Sequence, residues 1–399
     1  MNPAVRALRR AEGPGRVSPA GRTVTAMASG RRAAAPRWAA VGALAVVLLA
    51  LPAAIGALPA ADSDVPAADL RAAVLATEGL GFSGYAESAG GLALPVGDQL
   101  PAVADLFSDR TTMRVWWRGP VDNRVDVVSA AGETGYHRDP TGLWTWEYES
   151  ATATRADAGT AGEPFALPGP PDLLPSTLGR RLLSEATDAE LSRIGARRVS
   201  GRPALGLRVT PAEEASSVAR ADVWVDAGSG LPLQVQVIGD GGGVPAVDTR
   251  FLDLELDVPE ADVTAFRPPA GARVREAQEA DIAREAARRL RPAALPDTLA
   301  GLPRRTGDGV PAGIGLYGRG ITLLAVAPVP RRLAAALANT LAASPDAVDD
   351  DAGLRAAAGP VGLMVLRQPA GGSYVLTGTV TLDALAVAAA ELPDLGDER

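Results

Sequence analysis

One uncharged, apolar segment near the N-terminus constrains this chain more than any other feature. Trp38–Ala61 contains 24 residues and no charge, and about 20 apolar residues in a helix cross the roughly 30 Å core of a bilayer. The flanking charges are one-sided: Arg31, Arg32 and Arg37 come before the segment, and Asp62 and Asp64 come after it. Because positive residues stay on the cytoplasmic side, we expect a single membrane pass with residues 62–399 outside the cytoplasm.

A cleaved signal peptide is the alternative for the same segment. Translation from Met27 would give a short basic region, the apolar stretch and small residues before Asp62, which is the layout of a secretory signal. The end of the segment, Pro59-Ala60-Ala61, matches a cleavage site poorly, and there is no cysteine for a lipid anchor. The protein is then either a single-pass cell-membrane protein or secreted, and both place its body outside the cytoplasm.

Composition excludes several kinds of function. Residues 1–37 hold eight arginines and one acid, so the net charge of −8 hides 31 arginines against 46 acidic residues in the rest of the chain. This acidic excess argues against nucleic-acid binding, which needs a basic face. The absence of cysteine excludes disulfides and thiolate chemistry. The single histidine, His137, cannot supply a usual zinc site, and we predict no metal site and no cofactor.

Alternating apolar and polar residues predict antiparallel strands over most of the body. Two runs of strands separated by turn residues form meanders at 112–155 and 196–256, and a third group at 312–381 belongs to a smaller unit. Apolar residues three and four apart predict short helices between them: Ala67–Glu78, Leu100–Phe107, Leu178–Ile194, the charged Glu276–Leu290, Arg331–Ala343 and Leu382–Leu392. The predicted fold class is therefore α+β.

These patterns divide the chain into five parts. We expect a basic cytoplasmic tail at 1–37, the anchor or signal segment at 38–61, a large antiparallel domain at 62–275, a helical connector at 276–292 and a small α+β domain at 293–399. The small domain contains the acidic run Asp349-Asp350-Asp351. We interpret this run as a solvated loop, because it lacks the alternating ligands of a calcium site.

The second meander carries a recognisable sequence pattern. Val223–Asp240 reads as a strand, a turn with Gly-Leu-Pro and a strand, and Thr249–Val274 ends in AFRPPAGARV. The order of these motifs resembles the LolA-like superfamily of lipoprotein and lipid carriers, whose exit motif is matched by Phe266, Pro268, Pro269, Gly271 and Val274. The resemblance covers about residues 65–275. It implies an open half-barrel sheet closed over by helices, with an apolar concave face for acyl chains.

The C-terminal unit is similar to the second domain of the RseB/MucB family. That family pairs a LolA-like domain with a small domain that contacts an anti-sigma factor. The stretches that carry the similarity are LPDTLAGLPRR, GLYGRGITLLAVAP and GGSYVLTGTVTLDALAVAAAEL, all within residues 295–392. The chain departs from the family by its N-terminal anchor. The resemblance implies an anti-sigma factor as a partner and no enzyme activity.

Aromatic residues concentrate in the first meander and suggest the wall of an apolar groove. Six of the 16 aromatic residues fall between Trp116 and Tyr148. A ligand pocket is largely apolar, and Trp144, Trp146 and Tyr148 share one face of a strand by their spacing. We predict that acyl chains contact these three and six further residues: Val115, Trp117, Leu233, Val235, Leu252 and Leu254. Ordinary packing between the sheet and its helices is the alternative.

Charged candidates lie in the small unit. Arg304, Arg305, Arg331 and Arg332 can meet an acidic partner segment or anionic head groups, or form solvated surface. We predict no catalytic residue, because the chain has no Gly-x-Ser-x-Gly nucleophile elbow to serve the one histidine.

The sequence favours an extracytoplasmic, membrane-anchored, non-enzymatic protein that binds the acyl chains of lipids or lipoproteins. Burial of such chains in an apolar groove is favourable by about 25 cal/mol per Å². Two alternatives stay open. One is a regulator that binds an anti-sigma factor and tunes an envelope-stress sigma response, as the RseB/MucB resemblance implies. The other is a structural protein of the cell envelope, which a filled interior would favour.

Overall fold

The computed structural model describes Leu44 and residues 60–90, 110–129, 132–140, 142–156, 169–276, 294–305, 313–367 and 372–395. Only three residues of the predicted anchor, Leu44, Ala60 and Ala61, belong to this set. The predicted helix at 100–107 lies outside it, as does the predicted helix Glu276–Leu290 apart from Glu276, which ends a strand. Within the described ranges, no helix is long and apolar enough to cross a membrane.

Twelve strands of the described residues form one large sheet. Their bounds are β1 Phe82–Gly90, β2 Arg110–Gly119, β3 Asp122–Ser129, β4 Gly132–Asp139, β5 Gly142–Glu147, β6 Thr152–Ala156, β7 Leu191–Val199, β8 Arg202–Val209, β9 Val218–Asp226, β10 Pro232–Gly239, β11 Val247–Glu255 and β12 Arg273–Glu276. Their order is β12-β6-β5-β4-β3-β2-β1-β11-β10-β9-β8-β7. Only β12 and β6 pair in parallel. The two predicted meanders are β2–β6 and β7–β11. Strand β1 lies between them and pairs with β2 on one side and β11 on the other.

A tight turn fixes the register at one end of this sheet. Ser200 and Gly201 alone connect β7 to β8, and their φ angles are 51° and 72°. A two-residue turn of type I′ needs positive φ at both positions, and its twist matches the twist of the strands. Val199 therefore lies opposite Arg202. A shift by one residue would exchange the two faces of the strand.

Two helices cover one face of the large sheet, which we call the inner face. Helix α1 spans Ala67–Leu75 and α2 spans Pro175–Ser184. Pro175 is the first residue of α2, where its missing N–H removes no helical hydrogen bond. The helices pack on strands β7–β11 through one buried apolar cluster, whose helical members are Leu70, Val74, Leu182 and Leu183 and whose strand members include Leu205, Leu207, Val223, Val225 and Val235.

The large sheet is strongly coiled. Three strands separate β7 from β11, which in a flat sheet places them about 19 Å apart. The Ser200 hydroxyl nevertheless donates to the Phe251 carbonyl. The coil also buries part of the opposite, outer face: Trp224 is 9% exposed, and the guanidinium of Arg197 lies 3.7 Å from its ring centre.

A smaller sheet of six antiparallel strands follows. The strands are β15 Gly315–Arg319, β16 Thr322–Val329, β17 Val348–Asp350, β18 Gly353–Ala358, β19 Val361–Arg367 and β20 Ser373–Gly378, in the order β15-β16-β20-β19-β18-β17. A separate hairpin, β13 Thr298–Leu299 and β14 Leu302–Pro303, precedes them. Helix α5, Leu382–Glu391, packs on the face that includes Met364, whereas α4, Arg331–Ala342, packs on the face that includes Val365. The α+β class is therefore confirmed.

Ion pairs connect the two sheets. At the end of β15, Arg319 donates to both carboxylate oxygens of Glu190, at 2.8 and 3.1 Å, and pairs with Glu213 at 2.9 Å. Arg305 pairs with Glu185 at 2.7 Å. Both sheets consequently belong to one compact unit of the chain.

The helical stretch Leu178–Ile194, which the sequence predicts as two short pieces, is wrong in its last four residues. Helix α2 ends at Ser184, a 3₁₀ turn follows at Asp188–Glu190, and Leu191 begins strand β7. Leu191 lies opposite Val209 of β8. Backbone pairing with a partner distant in sequence outweighs a weak local helical pattern.

The predicted acidic loop is also wrong. Val348–Asp350 forms strand β17, which pairs with β18, and Arg355 donates to both oxygens of Asp350 at 2.7 and 2.9 Å. The alanine-rich strand β18 escaped prediction because alanine is depleted in strands. Without β18, the acidic run has no visible strand partner in the sequence.

Candidate functional site

Five of the nine predicted groove residues lie on the inner face, where they are buried. These are Val115, Trp117, Leu233, Val235 and Leu254, and none is more than 8% exposed. Cross-strand pairing places Val115 beside Val125. The buried cluster on this face is apolar, and β1 and β2 contribute two aromatic side chains to it, Phe82 and Trp117.

The remaining four groove candidates lie elsewhere. Trp144 lies opposite His137 on the neighbouring strand, and His137 lies opposite Arg124. Directly opposed residues point to the same face, so the side chains of Trp144, His137 and Arg124 all lie on the outer face. Trp146, two residues later, shares that face. Tyr148 follows the end of β5 and is 42% exposed; Leu252 also points outward and is 41% exposed. The structure therefore does not bring the nine residues into one groove.

The exit motif packs on the outer face. Helix α3, Ala261–Thr264, ends just before Phe266, whose ring centre lies 4.7 Å from His137, 5.5 Å from Trp144 and 5.9 Å from Trp146. Its backbone N–H donates to Asp139 at 3.2 Å. We call residues 257–276 the strap, because they cross the outer face from β11 to β12. Phe266 thus covers the aromatic residues that the sequence assigned to a ligand.

His137 is buried beneath the strap. It is 3% exposed, its Nδ1 lies 3.3 Å from the Thr264 carbonyl, and its Nε2 has no hydrogen-bond partner among the described residues. Burial lowers the pKa of His137 below its ordinary value, although the Thr264 carbonyl opposes this effect. The ring is therefore neutral at pH 7 and acts as part of the packing between strap and sheet.

We expect Phe266→Ala to lower the free energy of unfolding by about 2 kcal/mol, since a half-buried ring loses its contacts with three aromatic neighbours. Tryptophan fluorescence should shift to longer wavelength as Trp144 and Trp146 become hydrated. Val258→Ala in the same strap removes a side chain that is 63% exposed and is the control. An unchanged denaturation curve for Phe266→Ala would show that the strap is not held by this ring.

The inner face contains an aromatic group that the sequence did not indicate. Phe82 of β1 stacks on Trp117 at 5.9 Å between ring centres and meets Phe251 edge-on at 5.4 Å. Arg180 of α2 lies above Trp117, with its guanidinium carbon 6.0 Å from the ring centre. Phe82, Arg180 and Phe251 come from distant parts of the chain, and only the strand order β2-β1-β11 brings the three rings together.

The predicted partner-binding arginines divide into two pairs. Arg304 donates to the Leu295 carbonyl at 3.1 Å, and Arg305 pairs with Glu185 of the large-sheet region. Both are thus used within the chain. Arg331 and Arg332 lie in the first turn of α4 and are exposed. Among the described residues, no group of three potential metal-ligating side chains occurs.

Comparison with known proteins gives structural likeness only. No family model and no curated protein sequence matches the chain. Among solved structures it is similar to MucB in the Pseudomonas aeruginosa MucA/MucB complex, at 19% identity and a TM-score of 0.47, with 84% of this chain and 99% of that one covered.

Two smaller proteins match about half of the chain. One is a LolA superfamily protein from Nitrosomonas europaea, at 10% identity and a TM-score of 0.23, with 51% and 98% covered. The other is LprF from Mycobacterium bovis, at 12% identity and a TM-score of 0.29, with 49% and 98% covered. Both groups of proteins that the sequence motifs resemble are therefore among the solved structures similar to this chain.

Proposed function

We propose that this protein is a non-enzymatic, membrane-anchored protein that binds the acyl chain of a lipid or lipoprotein outside the cytoplasm. The anchor is the apolar segment Trp38–Ala61. The described fold begins directly after it, where Asp62 pairs with Arg193 of β7 at 2.6 Å. A body fixed this close to the end of an anchor would work beside the bilayer.

The inner face of the large sheet carries this proposal. Apolar side chains of β1, β2, β3, β10 and β11 form one buried cluster there: Phe82, Met113, Val115, Trp117, Val125, Leu233, Phe251 and Leu254. An acyl chain needs a continuous apolar surface shielded from water. Helix α2 lies over this surface and can shield a bound chain.

A matched pair of leucines tests the proposal. Leu233 is buried on the inner face and Leu252 is 41% exposed on the outer face. The affinity for an acyl ligand is measured in detergent-solubilised full-length protein by displacement of a fluorescent fatty acid. We expect Leu233→Ala to lower this affinity at least several-fold, because the variant removes apolar contact area. Leu252→Ala should bind like the parent chain. If neither displacement nor native mass spectrometry shows an acyl ligand, the proposal fails.

A second candidate function is recognition of an anti-sigma factor by the small sheet and its helices. The supporting observation is the pair Arg331 and Arg332, both exposed in the first turn of α4. Positive charge at a helix N-terminus opposes the helix dipole, so the dipole does not account for two arginines there. Leu333 beside them is 45% exposed. An acidic partner segment with one apolar side chain fits this surface.

A pull-down with two charge-reversed variants tests this candidate. The full chain should capture the outer segment of a single-pass anti-sigma protein encoded beside its gene, and Arg331→Glu with Arg332→Glu should abolish capture. Arg273→Glu with Arg275→Glu on β12, also two exposed arginines, should leave capture intact. Equal capture by both double variants would remove the α4 surface from consideration.

A further inference from the structure

Three polar atoms near α2 and β2 are buried without partners. The indole N–H of Trp117 and the hydroxyls of Ser176 and Thr177 have no hydrogen-bond partner within the described part of the chain. Trp117 is 3% exposed and Ser176 is fully buried. Native proteins satisfy nearly all such groups. All three groups are hydrogen-bond donors that can serve a ligand bound between α2 and β2.

Arg180 adds a positive charge to the same region. It follows Ser176 and Thr177 by four and three residues, so the three side chains lie along one side of α2. Its guanidinium lies over the Trp117 ring and donates to the carbonyls of Thr77 and Glu78 at 3.3 and 3.4 Å. No described carboxylate lies within salt-bridge distance of it. Burial lowers the pKa of Arg180, and the charge of Glu78 opposes this only in part.

The chemistry of this cluster is that of a hydrogen-bond donor set. The cluster combines a guanidinium, an indole N–H and two hydroxyls, and the first-turn N–H groups of a helix lack acceptors of their own. Guanidinium groups bind phosphate through two parallel hydrogen bonds, and helix N-termini favour anions. Phe82, stacked on Trp117, provides apolar surface beside the donors. An oxyanion attached to an apolar chain satisfies both features.

We propose that Trp117, Ser176, Thr177 and Arg180 bind the phosphate group of an anionic acyl lipid whose chains lie along the inner face. This inference rests on the proposed lipid-binding function and specifies the head group that it selects. The same four residues could also bind free inorganic phosphate, so the experiment tests the lipid and inorganic phosphate separately.

Native mass spectrometry of the full chain in maltoside separates these sources. The probes are phosphatidylglycerol, diacylglycerol with the same acyl chains, and inorganic phosphate. We expect phosphatidylglycerol to bind at least tenfold more tightly than diacylglycerol, because the charged hydrogen bonds of Arg180 are lost without the phosphate. Inorganic phosphate should bind more weakly than the lipid, since it lacks the apolar contacts.

Variants of the cluster identify its members. Arg180→Gln should bring phosphatidylglycerol affinity down to that of diacylglycerol, and Arg180→Lys should restore part of the difference. Trp117→Phe keeps an aromatic ring for the contact with Phe82 but removes the N–H donor together with part of the indole ring system, so a severalfold loss is expected. Arg110→Gln on β2 removes an arginine that pairs with Glu87 at 3.0 Å and is the control. Equal melting temperatures of the variants show that folding is retained.

The outcomes separate the head-group inference from the proposed function. Equal binding of both lipids, unaffected by Arg180→Gln, overturns the phosphate site and leaves lipid binding intact. Binding of inorganic phosphate as tight as that of phosphatidylglycerol overturns the assignment to a lipid. Absence of binding by all three probes overturns the site and the proposed function together.

Discussion

Asp126→Ala should lower the free energy of unfolding by about 3–5 kcal/mol, the usual effect of removing one partner of a buried ion pair. Asp126 is fully buried on the outer face and accepts from Arg124 Nε at 2.9 Å and from Nη2 at 2.6 Å. Burial by itself lowers the pKa of Arg124, and the hydrogen bonds of Asp126 outweigh it. Without the carboxylate, the guanidinium loses its main counter-charge while it still lies against the Trp116 ring.

Urea denaturation followed by circular dichroism measures this effect. Asp188→Ala is the matched control, because its carboxylate also pairs with an arginine, Arg71, at 3.0 Å but is 74% exposed. Exposed pairs of this kind contribute about 0–1 kcal/mol. Similar losses for the two variants would mean that water replaces the carboxylate at Arg124, and would contradict the importance assigned to burial.

Glu190→Gln should have the second-largest effect, a loss of about 3 kcal/mol with weaker association of the two sheets. Its carboxylate receives both hydrogen bonds from Arg319, one from the Thr187 hydroxyl at 2.8 Å and one from the Ala212 N–H at 3.1 Å. An amide cannot accept all of them. Glu213→Gln, which affects the same arginine through a more exposed carboxylate, should cost less than half as much.

Proteolysis and denaturation together test the Glu190 variant. We expect faster proteolytic cleavage than in the parent chain, and a denaturation curve that separates into two transitions. A single transition at the parent midpoint would show that backbone hydrogen bonds at 215–217 and 379–381 suffice to hold the sheets together.

Glu190 should also make the stability of the fold depend on pH. Burial raises the pKa of Glu190, but the hydrogen bonds from Arg319, Thr187 and Ala212 outweigh it and lower the pKa from 4.5 to about 2. Since the folded pKa is depressed, this stabilisation is complete above pH 4.5 and is lost as the pH falls towards 2. The difference in unfolding free energy between the parent and Glu190→Gln should therefore shrink across this range.

Local sequence patterns predicted most strands of the fold, but little of the order in which these strands pair within the sheets. The alternation in β8 and β9 is visible because one face of each strand packs on helices while the other carries ion pairs such as Arg208 with Asp222. The first part of β7 was missed because its pairing with β8 is not visible in Leu191–Ile194 alone, whereas its second part, Ala196–Val199, was predicted as a strand. β18 was missed because half of its residues are alanine.

The candidate site could be predicted only in part, for a related reason. Spacing along β5 correctly places Trp144 and Trp146 on one face of the sheet. Which of the two faces this is depends on the registers of the hairpins that link β2, β3, β4 and β5, and these cannot be read from the spacing. Trp117 and Trp144 thus fall on opposite faces. Arg180 reaches Trp117 only through tertiary packing, and no pattern within α2 distinguishes it from the neighbouring Arg181.

The two edge strands of the large sheet, β7 and β12, determine whether two copies of this protein can pair edge to edge. An edge strand presents backbone groups that can pair with a second chain. β7 carries Arg193, Arg197 and Arg198, and exposed β12 carries Arg273 and Arg275. Two edges of the same charge repel each other, and the Gly195 bulge interrupts one of them. These features disfavour edge-to-edge pairing between the large sheets of two copies.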